Sequence, residues 1–275
     1  MKLKIENSGK SLVEAIGEER VHLIYQPKYK KGDAIVFENE EAGFYRIRFE
    51  DTLEPAIVFI EKGTSRYEIP FGVMRAGYSP RAFIGKRHFI EVSKCHDEAM
   101  EVRNIAFNPF DINNLEPCVN GIYPHAYTNV RYPDSFRNTI IPDKGLFSAR
   151  NVLDGISASE SHRLYPHHSW GISRDDTGEL TIEFGRPVDI KSVCLTLRSE
   201  LPHDSWWETG SLVFHYSDSD TLEQEDITFE GTKEEQIFDF EKTKVDFIRL
   251  TNLKGSGTGF KALSNLRVIG KYEEV

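Results

Sequence analysis

The stretch Phe147-Ser-Ala-Arg-Asn-Val-Leu-Asp-Gly155 decides the fold, together with two segments that follow it, Ser169-Trp170-Gly171 and Leu180-Thr-Ile-Glu-Phe-Gly-Arg-Pro-Val-Asp-Ile190. A short apolar face ends in a tight Asp-Gly turn. A single Trp then follows a His-rich loop, and an alternating apolar and polar run ends at Gly-Arg-Pro. Such alternation is typical of a half-buried strand, so this part of the chain is predicted to be a β-sheet structure.

Alternation of this kind continues on both sides of the stretch. In the first half, strands are predicted at 22–25, 33–37, 44–49, 56–60, 66–69 and 88–92. In the second half, they are predicted at 179–184, 190–198, 211–216, 225–229, 235–240, 245–252 and 262–269. Helical periodicity is rare: residues 11–17 predict one turn, with Ser11 as its cap and Glu14 three residues later. Residues 102–107 are interpreted as a strand rather than a helix.

The chain length indicates two domains, because 275 residues exceed the usual size of one. Residues 108–145 contain five X-Pro steps and are rich in Asn and Asp. The same segment carries apolar side chains such as Ile122 and Tyr127, so we expect it to pack against the domains rather than to form a flexible tether. We therefore predict an all-β chain with two tandem β-sandwich domains, at 1–112 and 146–275, joined by an ordered linker at 113–145.

The charge balance limits the partners. With 34 basic and 44 acidic residues the net charge is −10, which argues against nucleic acid and against an anionic membrane surface. A carbohydrate or another neutral small molecule is compatible with it. The three cysteines, Cys95, Cys118 and Cys194, lack disulfide-framework or zinc spacing, which favours reduced thiols. The N-terminus shows no signal-peptide pattern and no run of about 18 apolar residues appears, so a cytoplasmic location is expected.

The three opening stretches resemble, in their order, the start of the discoidin-like (factor V/VIII type C, galactose-binding-like) β-sandwich. The resemblance covers about residues 146–272 and implies a binding module that presents loops to sugars or other surface ligands. The first half has the pattern of a jelly-roll or galactose-binding-like module. The whole chain resembles bacterial two-domain carbohydrate-binding proteins in four motifs: Tyr67-Glu-Ile-Pro-Phe-Gly72, Pro80-Arg-Ala-Phe83, Arg103-Asn-Ile-Ala106 and Pro124-His-Ala126.

The loop 162–170 concentrates three His, one Arg and two aromatic residues in nine positions. Sugars are recognised by a flat aromatic face against their C–H groups and by polar side chains that bind adjacent hydroxyls. His167 and His168 are therefore candidate ligand-binding residues. The alternative is structural: Trp170 belongs to the core and a His caps a backbone carbonyl.

The segment 198–207 holds the other candidates. They are Arg198, His203, Asp204, Trp206 and Trp207. Adjacent residues of an extended chain point to opposite faces, so the two tryptophans cannot both enter one core. In discoidin-like folds this loop lies near the loop before the Trp strand, which implies a pocket shared with the two His. The alternative is a structural ion pair of the Arg and the Asp, with Trp206 packed on the linker.

No cofactor is expected, except for a structural calcium that the resemblance implies near the Asp-Gly turn. Asp154 matches its usual acidic ligand. Asn265 stands where the family commonly has a Glu, and the loss of a carboxylate weakens a site for a hard cation.

A further groove is possible between the domains, where Arg75 and Tyr78 could face His125 and Asn129. The alternative is a hydrogen-bond network that fixes the two sandwiches together. The predicted function is a non-catalytic carbohydrate-binding protein. Two alternatives stay open: a carbohydrate-active enzyme with its site in the interdomain cleft, and a structural or interaction protein whose aromatic residues form a dimer interface. No local catalytic signature is present, and the oligomeric state is undetermined.

Overall fold

The computed structural model describes residues 1–112, 116–130, 145–158, 165–166, 168–172, 177–199, 205–255 and 259–274. Strands dominate these residues, which confirms the predicted all-β class. The strands are β1 (Lys2–Asn7), β2 (Lys10–Ile16), β3 (Arg20–Tyr25), β4 (Asp33–Asn39), β5 (Gly43–Arg48), β6 (Ala56–Ile60), β7 (Gly63–Glu68), β8 (His88–Lys94), β9 (Arg103–Asn104), β10 (Ile122–Tyr123), β11 (His125–Thr128), β12 (Trp170–Gly171), β13 (Leu180–Leu197), β14 (Trp207–Tyr216), β15 (Thr221–Thr228), β16 (Gln236–Gly255) and β17 (Ala262–Tyr272). The described helices are α1 (His96–Ala99) and two 3-10 helices, Gly72–Arg75 and Ala149–Val152.

The first half contains two sheets over one core. A four-stranded sheet has the order β2-β1-β4-β7, and a five-stranded sheet has the order β10-β6-β5-β8-β3. Alternate residues of both sheets meet in a common cluster, in which Leu3, Ile5 and Ile47 are fully buried. Burial of such side chains is the main source of stability for a sandwich of this kind.

The second half is built on a larger sheet of order β12-β17-β13-β16-β14-β15, with β11 paired to β13 and β9 paired to β17. Its two longest strands, β13 and β16, have 18 and 20 residues. Their pairing shifts register between Glu183 and Val188 and twice more before Ser192. Because bulges bend a strand, a continuous ladder can curve around one core, which includes Trp170 and Phe214.

The two halves are in direct apolar contact. Phe44 of β5 and Phe59 of β6 belong to the same buried cluster as the residues of the larger sheet. The Phe44 ring meets the Tyr272 ring edge to face, with centroids 4.6 Å apart. The described part of the predicted linker contributes to both halves, because β10 pairs with β6 and β11 pairs with β13. The domain limits at 1–112, 113–145 and 146–275 remain a prediction.

Two local predictions need correction. The helical turn at 11–17 is wrong: these residues form β2, which pairs with β1 from Lys2 opposite Ile16 to Asn7 opposite Lys10. A neighbouring strand satisfies the backbone over six residue pairs, whereas an isolated turn leaves most of its groups unpaired. The strand expected at 102–107 is reduced to the two residues of β9, and the short helix α1 precedes it.

Cys95, Cys118 and Cys194 are all free thiols. Within the described ranges, no helix combines the length and the apolar character needed to cross a membrane.

Candidate functional site

Two tryptophans form the apolar base at one end of the larger sheet. Trp170 in β12 and Trp207 at the start of β14 are 0% and 1% exposed, and their ring centroids are 5.7 Å apart. The Trp170 indole donates a hydrogen bond to Thr128 Oγ1 at 3.1 Å. Both rings therefore belong to the core. The expected stacking surface is not Trp207, because its ring faces no solvent.

Trp206 differs from Trp207 in its exposure. Its side chain is partly buried and packs against the same core cluster that contains Trp207. A Cβ built at Gly231 would lie 2.4 Å from the Trp206 ring, so this glycine is what lets the indole lie flat on the backbone. Of the two adjacent tryptophans, Trp206 alone keeps an exposed edge.

Arg198 connects the two loops that the sequence predicted to meet. The side chain is 3% exposed, and its Nη1 donates to Ser169 Oγ at 3.0 Å. The Arg198 backbone N–H donates to Ala262 O at 2.9 Å, and the guanidinium carbon lies 5.5 Å from the centre of the Phe147 ring. The end of β13 is thereby held against the residues immediately before Trp170.

His168 is fixed below the surface rather than on it. It is 1% exposed, its Nε2 lies 2.7 Å from Asp154 Oδ2, and the Tyr165 ring stacks on it at 5.6 Å. Its Nδ1 is buried and has no hydrogen-bond partner among the described residues. Sequence reasoning did not pair His168 with Asp154. A signal was available, because both buried His–Asp pairs among the described residues join an Asp to a His 14 residues later. His125 directly follows Tyr123-Pro124, and His168 is the second of the two His residues after Tyr165-Pro166.

Further buried polar atoms at this end have no partner within the described part of the chain. They are Ser199 Oγ, Trp207 Nε1, Ser264 Oγ and Asn265 Oδ1. Ser199 follows Arg198 in the chain, and the Trp207 ring lies beside the Trp170 ring. Ser264 and Asn265 directly follow Leu263 on β17, which pairs with Trp170. A buried group without a partner costs about 1–3 kcal/mol, so such atoms concentrate where a water or a ligand completes them.

Phe260 is an aromatic residue that the sequence reasoning missed. Its side chain is 40% exposed. Gly259 precedes it and lies so close to Ser205 that a Cβ added to the glycine would be 2.3 Å from Ser205 Oγ. Ala262, two residues after Phe260, accepts the hydrogen bond of the Arg198 backbone N–H. An aromatic residue directly after a run of glycines was the available signal. Trp206 and Phe260 thus flank the same set of loops.

Three of the predicted ligand-binding residues, His167, His203 and Asp204, lie outside the described residues. The predicted ion pair between Arg198 and Asp204 and the full convergence of the two loops therefore stay predictions.

Asp154 does not fit a calcium site. Its Oδ1 accepts the Ile156 backbone N–H at 3.0 Å, and its Oδ2 faces His168 at 2.7 Å and the Arg150 guanidinium at 3.6 Å. A hard cation requires several oxygen ligands, whereas this carboxylate is surrounded by nitrogen donors. Among the described residues, no group of three or more His, Cys, Asp or Glu side chains is arranged to hold a metal ion.

The four residues expected in an interdomain groove do not share one. Arg75 donates to Pro80 O at 3.0 Å, and Tyr78 is buried with the Arg150 guanidinium 4.0 Å above its ring. Asn129 is exposed and bonds the backbone of Thr177 and Glu179. The fourth residue, His125, is fully buried. The hydrogen bonds of Arg75 and Asn129 each stay within one half, whereas the contact of Tyr78 with Arg150 joins the two halves.

His125, on β11 of the larger sheet, joins the two halves through Asp111. Its Nδ1 donates to Asp111 Oδ1 at 2.7 Å and its Nε2 to Glu116 O at 3.1 Å. Burial opposes the charge of the ring, but Asp111 and these hydrogen bonds outweigh burial and raise the pKa of His125 to about 9. The His125 ring is therefore positively charged at neutral pH.

Comparisons with known proteins give structural matches alone. No family model matches the chain, and no curated protein matches it. Similar solved structures include chitosan-binding module 1 of a chitosanase/glucanase from Paenibacillus sp. IK-5, at 13% identity and a TM-score of 0.41, covering 61% of this chain and 99% of that one. A fucose-binding module from Streptococcus pneumoniae matches at 12% identity and a TM-score of 0.42, covering 62% and 100%. The family 32 carbohydrate-binding module of Clostridium perfringens NanJ, in complex with galactose, matches at 15% identity and a TM-score of 0.39, covering 52% and 90%.

These modules are discoidin-like, galactose-binding-like β-sandwiches, the type that the second half of the sequence resembles. At such identities and TM-scores the likeness identifies neither a ligand nor a binding residue of this chain.

Proposed function

We propose that this chain is a non-catalytic carbohydrate-binding protein, with its site at the end of the larger sheet where Trp206 and Phe260 keep exposed aromatic surface. The observation that carries the proposal is the set of buried polar atoms at this end of the sheet that lack partners among the described residues. A sugar offers what such a site lacks, because one face of its ring is apolar and its hydroxyls both donate and accept hydrogen bonds.

Trp206 is the residue assigned to stacking. Its ring is held against Gly231 and the core, so little side-chain entropy is lost when a ligand covers its other surface. Phe260 supplies a second apolar surface.

Arg198, His168 and Trp207 act differently from the sequence-based expectation. Each is at least 97% buried, so their proposed role is to hold the loops. Arg198 fixes Ser169 through its guanidinium, and His168 anchors the segment before Trp170 to Asp154. His167, His203 and Asp204 remain the proposed polar contacts to the sugar hydroxyls.

A glycan array tests the proposal with the wild-type protein and the variants Trp206→Ala and Phe260→Ala. Leu222→Ala is the matched control: Leu222 is 62% exposed and lies opposite His215, eight residues along β14 from Trp207. Eight residues of a strand span about 27 Å, so this apolar side chain lies far from the site.

We expect both aromatic variants to lose at least about tenfold in affinity for every glycan that the wild type binds, as for the loss of one well-placed aromatic contact. The control should bind as the wild type does. Absence of binding across a broad array, or binding that neither aromatic variant changes, would exclude this site.

A further inference from the structure

A cavity lies along the strand β7, and most of its lining residues belong to the first half of the molecule. Its volume is about 510 Å³, which falls in the range of about 300–1,000 Å³ typical of small-molecule sites. β7 is an edge of the four-stranded sheet and pairs with β4. We call this cavity the β7 groove. Arg66, Glu68 and Phe71 line one side of it, Val119 and Asn120 line another, and Tyr78 lies among the buried lining residues.

The β7 groove exposes apolar side chains at its mouth. Phe71 is 48% exposed and Val119 is 73% exposed. Most residues of these types are buried in a stable domain, and an exposed aromatic ring at the rim of a cavity is a common feature of binding sites. Phe71 immediately follows Pro70, whose fixed backbone angle limits how far the ring can move.

A buried tyrosine pair supplies a directed hydrogen-bond donor to the groove. Tyr67 and Tyr78 are 1% and 4% exposed, both line the cavity, and their hydroxyl oxygens are 3.2 Å apart. Burial raises the pKa of both, so both hydroxyls keep their hydrogen at neutral pH. One hydroxyl donates to the other, and the hydrogen of the accepting hydroxyl has no acceptor within hydrogen-bond distance among the described residues.

The charges of the lining balance. Two basic residues, Lys31 and Arg66, face two acidic residues, Glu68 and Asp111. Arg66 is paired with Glu6 at 3.0 Å, and Asp111 is paired with His125. A lining without excess charge favours a neutral ligand over a phosphate, a polyanion or a cation.

We propose that the β7 groove is a second binding site, which takes a neutral oligosaccharide with one sugar ring against Phe71 and a sugar oxygen accepting from the Tyr67–Tyr78 pair. The choice of a saccharide rests on the ligand class of the proposed function, but the groove is separate from the C-terminal site. An extended peptide added to β7 is the competing occupant. It is disfavoured because Arg66 and Glu68 place charges on this edge, which is how edge strands resist pairing with another chain.

The test measures binding of four neutral probes, cellobiose, lactose, maltotriose and N,N′-diacetylchitobiose, by saturation-transfer NMR and calorimetry. It uses the full-length protein, Trp206→Ala, and Phe71→Ala and Tyr78→Phe made in the Trp206→Ala background. Ile16→Ala is the matched control, because Ile16 is 77% exposed on β2, at the opposite edge of the same sheet. Thermal unfolding of each variant shows whether it is folded.

We expect at least one probe to bind the Trp206→Ala protein. Phe71→Ala should weaken that binding about tenfold and Tyr78→Phe about threefold, as for one aromatic contact and one hydrogen bond, while Ile16→Ala changes nothing. If Trp206→Ala abolishes all binding, the β7 groove site is overturned and the C-terminal site stands. If the Trp206→Ala protein binds as the wild type does and Phe71→Ala in that background abolishes the binding, the β7 groove site stands and the C-terminal site is overturned. If the wild type binds none of the probes, the groove is not a saccharide site. If extended peptides from a displayed library bind and Phe71→Ala abolishes that binding, the groove is a peptide site instead.

Discussion

Two buried His–Asp pairs differ in one respect that separates a structural role from a functional one. His125–Asp111 and His168–Asp154 have the same nitrogen–oxygen distance, 2.7 Å, and the same separation of 14 residues. The second ring nitrogen of His125 donates to a backbone carbonyl, whereas that of His168 has no partner among the described residues. The first pair is complete within the protein. The second leaves a buried nitrogen for a loop or a ligand to complete, at the end of the sheet where the proposed site lies.

The largest effect is expected for Asp111→Ala. This change leaves the His125 charge buried without its partner and removes the acceptor of the Ala126 backbone N–H. We expect the free energy of unfolding to fall by about 3–5 kcal/mol, measured by urea denaturation. Asp218→Ala is the control, because Asp218 forms an exposed pair with Lys244. Equal stability of the two variants would contradict a stabilising role of the His125–Asp111 pair.

The pH dependence of stability should report on the His125–Asp111 pair. The pKa of His125 is raised to about 9 in the folded protein, against about 6.5 for an unperturbed His. The stabilisation is therefore fully present below pH ~6.5 and is lost as the pH rises through about 9, by about 3 kcal/mol in total. Denaturation at several pH values should show this loss in the wild type. A His125→Gln protein with the same pH profile would refute the assignment.

A smaller loss of stability is expected for His168→Ala, about 1–3 kcal/mol, because one hydrogen bond to Asp154 is lost from a pair that is not complete. The effect on binding should have the opposite order. His168→Ala should weaken binding of the best glycan from the array, whereas His125→Ala should not, once both are shown to be folded. Equal affinities of the two variants would remove His168 from the support of the site.

The smallest effect is expected for calcium. Because Asp154 is engaged by His168, Arg150 and the Ile156 N–H, it offers no free oxygen to a hard cation. Addition of millimolar calcium, or of a chelator, should shift the melting temperature by less than about 1 °C. A calcium-dependent rise of several degrees would show that this carboxylate rearranges to bind the ion.

Several parts of the fold and the site were predictable from local pattern. The alternation of 44–49 and 56–60 predicted β5 and β6, since period-two burial follows directly from strand geometry. The same geometry predicted that the two adjacent tryptophans are not both buried in one core, and Trp206 is only partly buried whereas Trp207 is 1% exposed. The prediction of a helical turn at 11–17 was wrong because the Ser-x-x-Glu spacing of a capping box also occurs in strands. In β2 the Ser11 hydroxyl donates to the Glu14 carboxylate at 3.4 Å.

The sequence by itself determined many of the strands, the all-β class, the two adjacent tryptophans and the shortage of basic charge, because each follows from residues close together in the chain or from composition. Tertiary structure alone decided which tryptophan is buried, which carboxylate bonds which His, and that the Arg150 guanidinium faces Asp154. The physical reason is that burial and hydrogen-bond partners are set by segments far apart in the chain. The same Asp-to-His separation of 14 residues thus gives a pair whose ring nitrogens are both bonded in one place, and a pair with one unpartnered nitrogen among the described residues in the other.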